Sequence, residues 1–314
     1  MKTVSNPAVG TAHGKIILMG EHSVVYGEPA IAVPFPSVSV VATLTEKSGS
    51  ITIESDYFTG ELDQAPHSLD NLKAAVQVTC EALGQFASGF HMHIQSTIPP
   101  ERGMGSSAAV AAAVIRSLYA HFHRDLDREQ LLRLVNVSET IAHGNPSGLD
   151  AWMTSGEIPV YFQKEKPFEP LPLQMNAYLV VADTGQKGQT KDTVRDVSRL
   201  EQLYSEEARR IIRRLGALAE QAKVAIQEKN PVQLGECMKK AHSQLMTLTV
   251  SNAHLDRLVA AALYAGALGA KLTGGGRGGC MIALAADRMA AEKIAAALEH
   301  AGAEQTWIHS LGGD

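Results

Sequence analysis

Polar and apolar positions alternate through residues 38–44 and 90–94, the period of strands with one buried face. Residues 51–53 read as a further strand, set off from 38–44 by the turn residues Ser48, Gly49 and Ser50. Residues 14–18, 30–33, 178–182 and 280–284 are short continuous apolar runs, as in strands buried on both faces. Helical spacing runs through residues 71–83 and 107–121. Asp127 and Gln130 look like the cap of a further helix that ends near Gly144. The second half predicts a strand, then helices over 197–229, 232–248 and 255–268. A strand at 280–284, a helix at 288–300 and a strand at 306–309 complete it. The resulting order, β-α-α-α-β-α-β, is α+β in character.

A length of 314 residues suggests about two domains. Lys164, Lys166, Pro167, Pro170 and Pro172 cluster between them, which sets the expected division at 1–168 and 169–314. The formal net charge of −5 gives no general attraction for nucleic acid or anionic membranes, so an anionic substrate needs local groups. The longest apolar runs, at 107–115 and 258–270, fall short of the roughly 20 residues that span a bilayer. Residues 1–10 carry no signal-peptide core. Cys80, Cys237 and Cys280 are scattered and odd in number, which fits a reducing cytoplasm better than a disulfide or zinc framework.

Three segments carry candidate chemistry. Pro99, Pro100, Glu101, Arg102, Gly103, Met104, Gly105, Ser106, Ser107, Ala108 and Ala109 form a glycine loop leading into a helix. Its glycines let backbone approach a ligand, and the unpaired N–H groups of the first helical turn suit phosphate oxygens. The loop is not a Walker A sequence, since no G-x-x-x-x-G-K-[ST] string occurs. Glu139 and Asp150 frame a second loop whose proline and two glycines, Pro146, Gly144 and Gly148, set a sharp turn. Isolated acids at such places are more often helix caps or solvated faces. The third segment holds Lys15 in an apolar run, followed by Gly20, Glu21 and His22. Near the C-terminus, Gly274, Gly276 and Gly279 satisfy a dinucleotide fingerprint, but they lie between a helix and a strand, the reverse of the order that fingerprint needs. His123, Arg124 and Asp125 imitate a protein-kinase catalytic loop without its other motifs.

Taken in order, residues 15–22, 99–109 and 271–280 resemble the three motifs of the GHMP kinases, a family that includes galactokinases, homoserine kinases, mevalonate kinases and phosphomevalonate kinases. The match spans nearly the whole chain. Residues 15–27 and 143–150, the latter from His143 through Gly144, Asn145, Pro146, Ser147, Gly148 and Leu149 to Asp150, are most similar to the mevalonate kinase branch. The stretch from Asp183 to Thr190 resembles a substrate-side segment of the same branch. Glu101, Arg102 and Arg277 depart from the family pattern of small residues.

The resemblance implies a two-domain GHMP kinase fold, with an N-terminal domain like ribosomal protein S5 domain 2 and a ferredoxin-like C-terminal domain. It implies transfer of the ATP γ-phosphoryl group to mevalonate, with Mg²⁺ as cofactor. Asp150 is then the catalytic acid/base with Lys15 as its partner. Ser107 and Glu139 are the metal ligands, residues 99–109 hold the nucleotide, and Glu21, His22, Lys187 and Thr190 meet the substrate. Arg102 and Arg277 are candidates for phosphate contacts, because guanidinium suits phosphate. The alternatives are another GHMP kinase, such as one acting on phosphomevalonate, and a non-catalytic sensor of the same fold. A homodimer follows family habit alone.

Overall fold

A computed structural model describes residues 6–143 and 148–312, without the side chains of Ala142, His143 and Lys191. Two compact units interleave along the chain. Residues up to 15, 34–99 and 105–157 form the first; residues 16–33, 100–104 and 158 onward form the second. The long strands β1 (Ala8–Met19) and β2 (Ala30–Glu46) contribute to both.

In the first unit, β2 pairs antiparallel with β5 (Phe90–Ser96), β5 pairs parallel with β3 (Thr52–Ser55), and β3 pairs antiparallel with β4 (Phe58–Glu61). Val38, Val40, Ala42 and Leu44 turn one face of β2 inward. Helix α1 (Asp70–Leu83) packs against α2 (Ser106–His121) and α3 (Arg128–His143). The alanine-rich α2 is buried nearly all round, as expected of a helix apolar on every side. Asp127 caps α3, its Oδ1 accepting from Gln130 N at 2.7 Å. The short α4 (Leu149–Thr154) follows.

The second unit pairs Ala30–Ala32 of β2 with β6 (Val160–Phe162), and β6 with β7 (Glu169–Pro170). Its main sheet is antiparallel, in the order β11 (Gln305–Ser310), β8 (Tyr178–Asp183), β10 (Cys280–Ala285), β9 (Gly269–Thr273). Helices α5 (Thr190–Leu203), α6 (Ser205–Gln227), α7 (Pro231–Thr247), α8 (Ala253–Tyr264) and α9 (Arg288–His300) complete it. The inner strands β8 and β10 are buried on both faces, which explains their unbroken apolar runs.

Three of the expected elements take a different form. The runs at 30–33 and 38–44 belong to one strand, β2, because Pro34 and Pro36 fall between the β6 and β5 ladders, where their missing N–H costs neither pairing. The helix expected over 197–229 divides at Tyr204, whose φ of −128° and ψ of 53° leave the helical region. The helix expected to reach residue 268 stops at Tyr264, and residues 269–273 form β9, a strand buried at every position and so without alternation.

All three cysteines are free and buried. Burial pushes the Cys80 thiol up to about 11 and raises Cys237 and Cys280 as well. Among the described residues, no helix is long and apolar enough to cross a membrane.

Candidate active site

The first unit brings together two of the expected pairs. Lys15 Nζ lies 3.1 Å from Asp150 Oδ1, with the Lys15 side chain 6% exposed and that of Asp150 43% exposed. Asp150 stands in the first turn of α4, after Gly148 at φ 75°, where the helix dipole favours a carboxylate. The residues before it, Gly144 to Ser147, which were expected to set the turn, lie outside the described residues. Ser107 Oγ donates to Glu139 Oε1 at 2.7 Å, and Glu139 is buried. Asn71 Nδ2 donates to Ser107 O at 2.7 Å, which ties the first turn of α2 to α1.

Gly105 precedes α2 at φ 75°, and Ala109 N closes onto its carbonyl at 3.0 Å. A Cβ at Gly105 would stand 3.0 Å from Lys15 Cγ and 3.0 Å from Thr154 Cγ2. Only glycine leaves the Lys15 chain and the α2 N-terminus this close. The N–H groups of Ser106, Ser107 and Ala108 have no partner within the helix, so this terminus is suited to an anion.

In the second unit, residues 100–104 are fastened to residues 183–188. Arg102 Nε donates to Asp183 Oδ1 at 2.6 Å, and Arg102 Nη1 donates to Pro100 O at 3.2 Å. Gly188 N donates to Glu101 O at 2.7 Å, and the Lys187 ammonium pairs with the Glu101 carboxylate. The departures at 101 and 102 therefore serve as loop anchors. Arg277 likewise pairs with Asp196 at 2.6 Å, its Nε donating to Thr249 O at 3.0 Å. Gly103 lies against Gly274, a Cβ on either falling 3.4 Å from the other's Cα.

Segment 16–22 is held by β9 and the glycines after it. Thr273 Oγ1 donates to Ile17 O at 2.8 Å. Lys271, wholly buried, donates to Glu21 Oε1 and to Leu272 O. Burial holds the Lys271 pKa below the usual lysine value, with Glu21 pulling it back up. His22, at φ 62°, donates from Nε2 to Gly275 O at 2.9 Å. That bond fixes the tautomer and leaves Nδ1 a buried acceptor with no partner among the described residues. Burial lowers the His22 pKa from 6.5 to about 4; the Gly275 bond opposes this, while Arg277 and Lys271 reinforce it. Thr190 opens α5, exposed, and packs against Gly275.

Lys271, Asp183 and Asn71 hold working positions that the sequence pattern does not single out one by one, although Lys271 and Asp183 open stretches that resemble family segments. The available signal was a lysine inside an apolar strand for Lys271 and a terminal acid on another strand for Asp183. Nothing in the pattern around Asn71 distinguishes it from an ordinary first-turn residue.

The family profile described as GHMP kinases N terminal domain matches residues 70–156, and that described as GHMP kinases C terminal matches residues 222–304. A mevalonate kinase of Pyrococcus horikoshii is 36% identical over 315 aligned positions, covering 94% of this chain and 92% of the relative. The crystal structure of Leishmania major mevalonate kinase in complex with R-mevalonate superposes with a TM-score of 0.84 at 28% identity, covering 99% of each chain. The mevalonate kinase of methicillin-resistant Staphylococcus aureus MRSA252 gives a TM-score of 0.75 at 34% identity, covering 98% of this chain and 100% of the other.

Proposed function

This chain belongs to the GHMP kinase family, and from that premise we propose that it phosphorylates mevalonate with ATP, giving 5-phosphomevalonate. The observation that carries the chemistry is the 3.1 Å pair of Lys15 and Asp150. The full-length likeness to mevalonate kinases carries the choice of alcohol.

Phosphoryl transfer asks the protein chiefly for positioning and charge stabilisation. Asp150 orients the attacking hydroxyl. An aspartate carboxylate is too weak a base to ionise a free alcohol, so it takes the proton late, as the new bond to phosphorus acidifies it. Lys15 holds the Asp150 carboxylate and offsets negative charge growing on the hydroxyl oxygen. The loop of residues 99–109 and the α2 N-terminus hold nucleotide phosphates. Glu21, His22, Lys187 and Thr190 receive the substrate. Glu21 and the His22 Nδ1 accept hydrogen bonds from its hydroxyl groups.

The residues present fit Mg²⁺. Ser107 and the buried Glu139 offer adjacent oxygens, and among the described residues no group of three or more His, Cys, Asp or Glu forms an all-protein cage. Mg²⁺ commonly takes one or two protein oxygens and completes its shell with water and phosphate. When bound there, it would neutralise phosphate charge. A cytoplasmic setting and a homodimer complete the reading.

Coupled ADP release with mevalonate, galactose, homoserine and 5-phosphomevalonate tests the assignment. Mevalonate should exceed every other alcohol in kcat/KM by about a hundredfold or more. Equal or faster turnover of another alcohol would remove mevalonate as the substrate. Asp150→Ala should lower kcat by about 10²-fold or more with little change in ATP affinity. Near-wild-type turnover would rule out the assigned role.

A further inference from the structure

The first unit contains a basic cavity that the reaction does not use. Its volume is about 360 Å³, the low end of the range for small-molecule sites. Arg116, Arg124 and Arg128 line it, with Asp127 as the single carboxylate among the lining residues. Three cations against one anion leave 3 − 1 = 2 positive charges facing one small space, in a protein whose net charge is −5. Among the described residues, none of the three guanidiniums stands within 4.0 Å of a carboxylate. Arg116 instead donates to backbone carbonyls, at 3.0 Å to Ser155 O and also to Thr11 O. Burial and the neighbouring Arg128 hold its pKa below the usual arginine range, while Glu157 acts in the other direction.

A second observation concerns Tyr119. It lines the same cavity, is 2% exposed, and its hydroxyl has no hydrogen-bond partner among the described residues. A buried phenol normally finds a partner. Guanidiniums that no carboxylate neutralises, beside an unpaired hydroxyl, leave the cavity with an excess of donors and positive charge.

We propose that this cavity binds a small phosphate-bearing anion, either inorganic or a phosphomonoester. A carboxylate would use one guanidinium and leave the rest repelling one another. A phosphate group carries about −1.5 to −2 charge at neutral pH and three acceptor oxygens, which matches the excess. Arginine forks accept such oxygens two at a time.

The cavity also adjoins the element that carries Asp150. Ser155, whose carbonyl Arg116 holds, is the C-cap of α4, and Arg128 stacks 4.4 Å over the Trp152 ring on the same helix. An anion that draws these two arginines toward itself pulls on the C-terminal end of α4. Trp152 is therefore a reporter placed at the site.

The test is titration of the full-length protein with inorganic phosphate, inorganic pyrophosphate and glycerol 3-phosphate, with the nucleotide site saturated by a non-hydrolysable ATP analogue. Calorimetry and tryptophan emission are read together. At least one of the three anions should bind and change the emission. Arg124→Glu should weaken that binding by about tenfold or more, while leaving kcat and the ATP KM measured without added anion unchanged. Arg124 is exposed, so this variant keeps the fold, which a matched thermal melt checks. The free anions and the monoester distinguish the two sources of the phosphate group. The proposal is overturned by no binding of any of the three, by binding that appears only when the analogue is left out, or by unchanged affinity in Arg124→Glu.

Discussion

Glu21 and Lys271 bring opposite charges into a place where neither is exposed by more than 1%. Removing one partner of such a pair strands the other charge away from water, at a cost of about 3–5 kcal/mol. Lys271→Met should lower the unfolding free energy by that order in urea titration. A change under about 1 kcal/mol would mean that Glu21 is solvated or protonated without its partner. His22 makes a second prediction. Its pKa falls to about 4 in the folded protein from 6.5, so between those values the unfolded chain holds a proton that the folded chain does not. Stability should therefore fall as pH drops through that window, by at most roughly 1.4 kcal/mol per unit from this residue. Thermal melts from pH 7 to 4.5 should show a shallower decline in His22→Gln. Both residues were legible to different degrees. His22 stood in a motif whose neighbours pointed to a pocket. Lys271 opens a glycine-rich stretch whose strand is buried throughout and so shows no alternation, and nothing in the sequence points from it to Glu21.

At the scale of elements, the α2 N-terminus depends on one residue. Gly105→Ala sets a side chain at φ 75° and presses it to 3.0 Å from Lys15 Cγ and Thr154 Cγ2. Lys15 must move, and its pair with Asp150 with it. The variant should keep its melting temperature within about 5 °C and lose about tenfold or more in kcat, because in the proposed mechanism a small displacement of Lys15 and Asp150 costs far more in rate than in stability. Unchanged kcat would show that Lys15 need not be held where it is. Much of this level was readable beforehand. The alternation of β5, the Asp127 cap of α3 and the glycine loop before α2 are local signals that burial then reinforces. The rest was set by distant partners. Nothing near Pro34 announces that β2 changes neighbour there, nothing in residues 197–229 forces the break at Tyr204, and β9 is too thoroughly buried to alternate.

At the scale of the whole molecule, the second unit is completed by residues from far upstream. Ala30–Ala32 pair with β6, and Glu21 meets Lys271. A fragment of residues 169–314 lacks both β6 and this upstream segment. Expressed alone, it should show weak near-ultraviolet dichroism and non-cooperative melting, whereas the full chain melts sharply. A cooperative, native-like fragment would mean that the interleaved segments add little. The expected two-part division came from a proline cluster, a signal of linkers, and such a signal carries no information about strands that return from earlier in the chain. The burial of Cys80, Cys237 and Cys280 has a practical consequence at this scale. With every native thiol covered and held in its protonated form, the natural sequence is already a quiet background for chemical labelling. A single cysteine introduced at an exposed position of each unit would accept a maleimide dye selectively, and two such dyes would report distances during turnover without any prior removal of native cysteines.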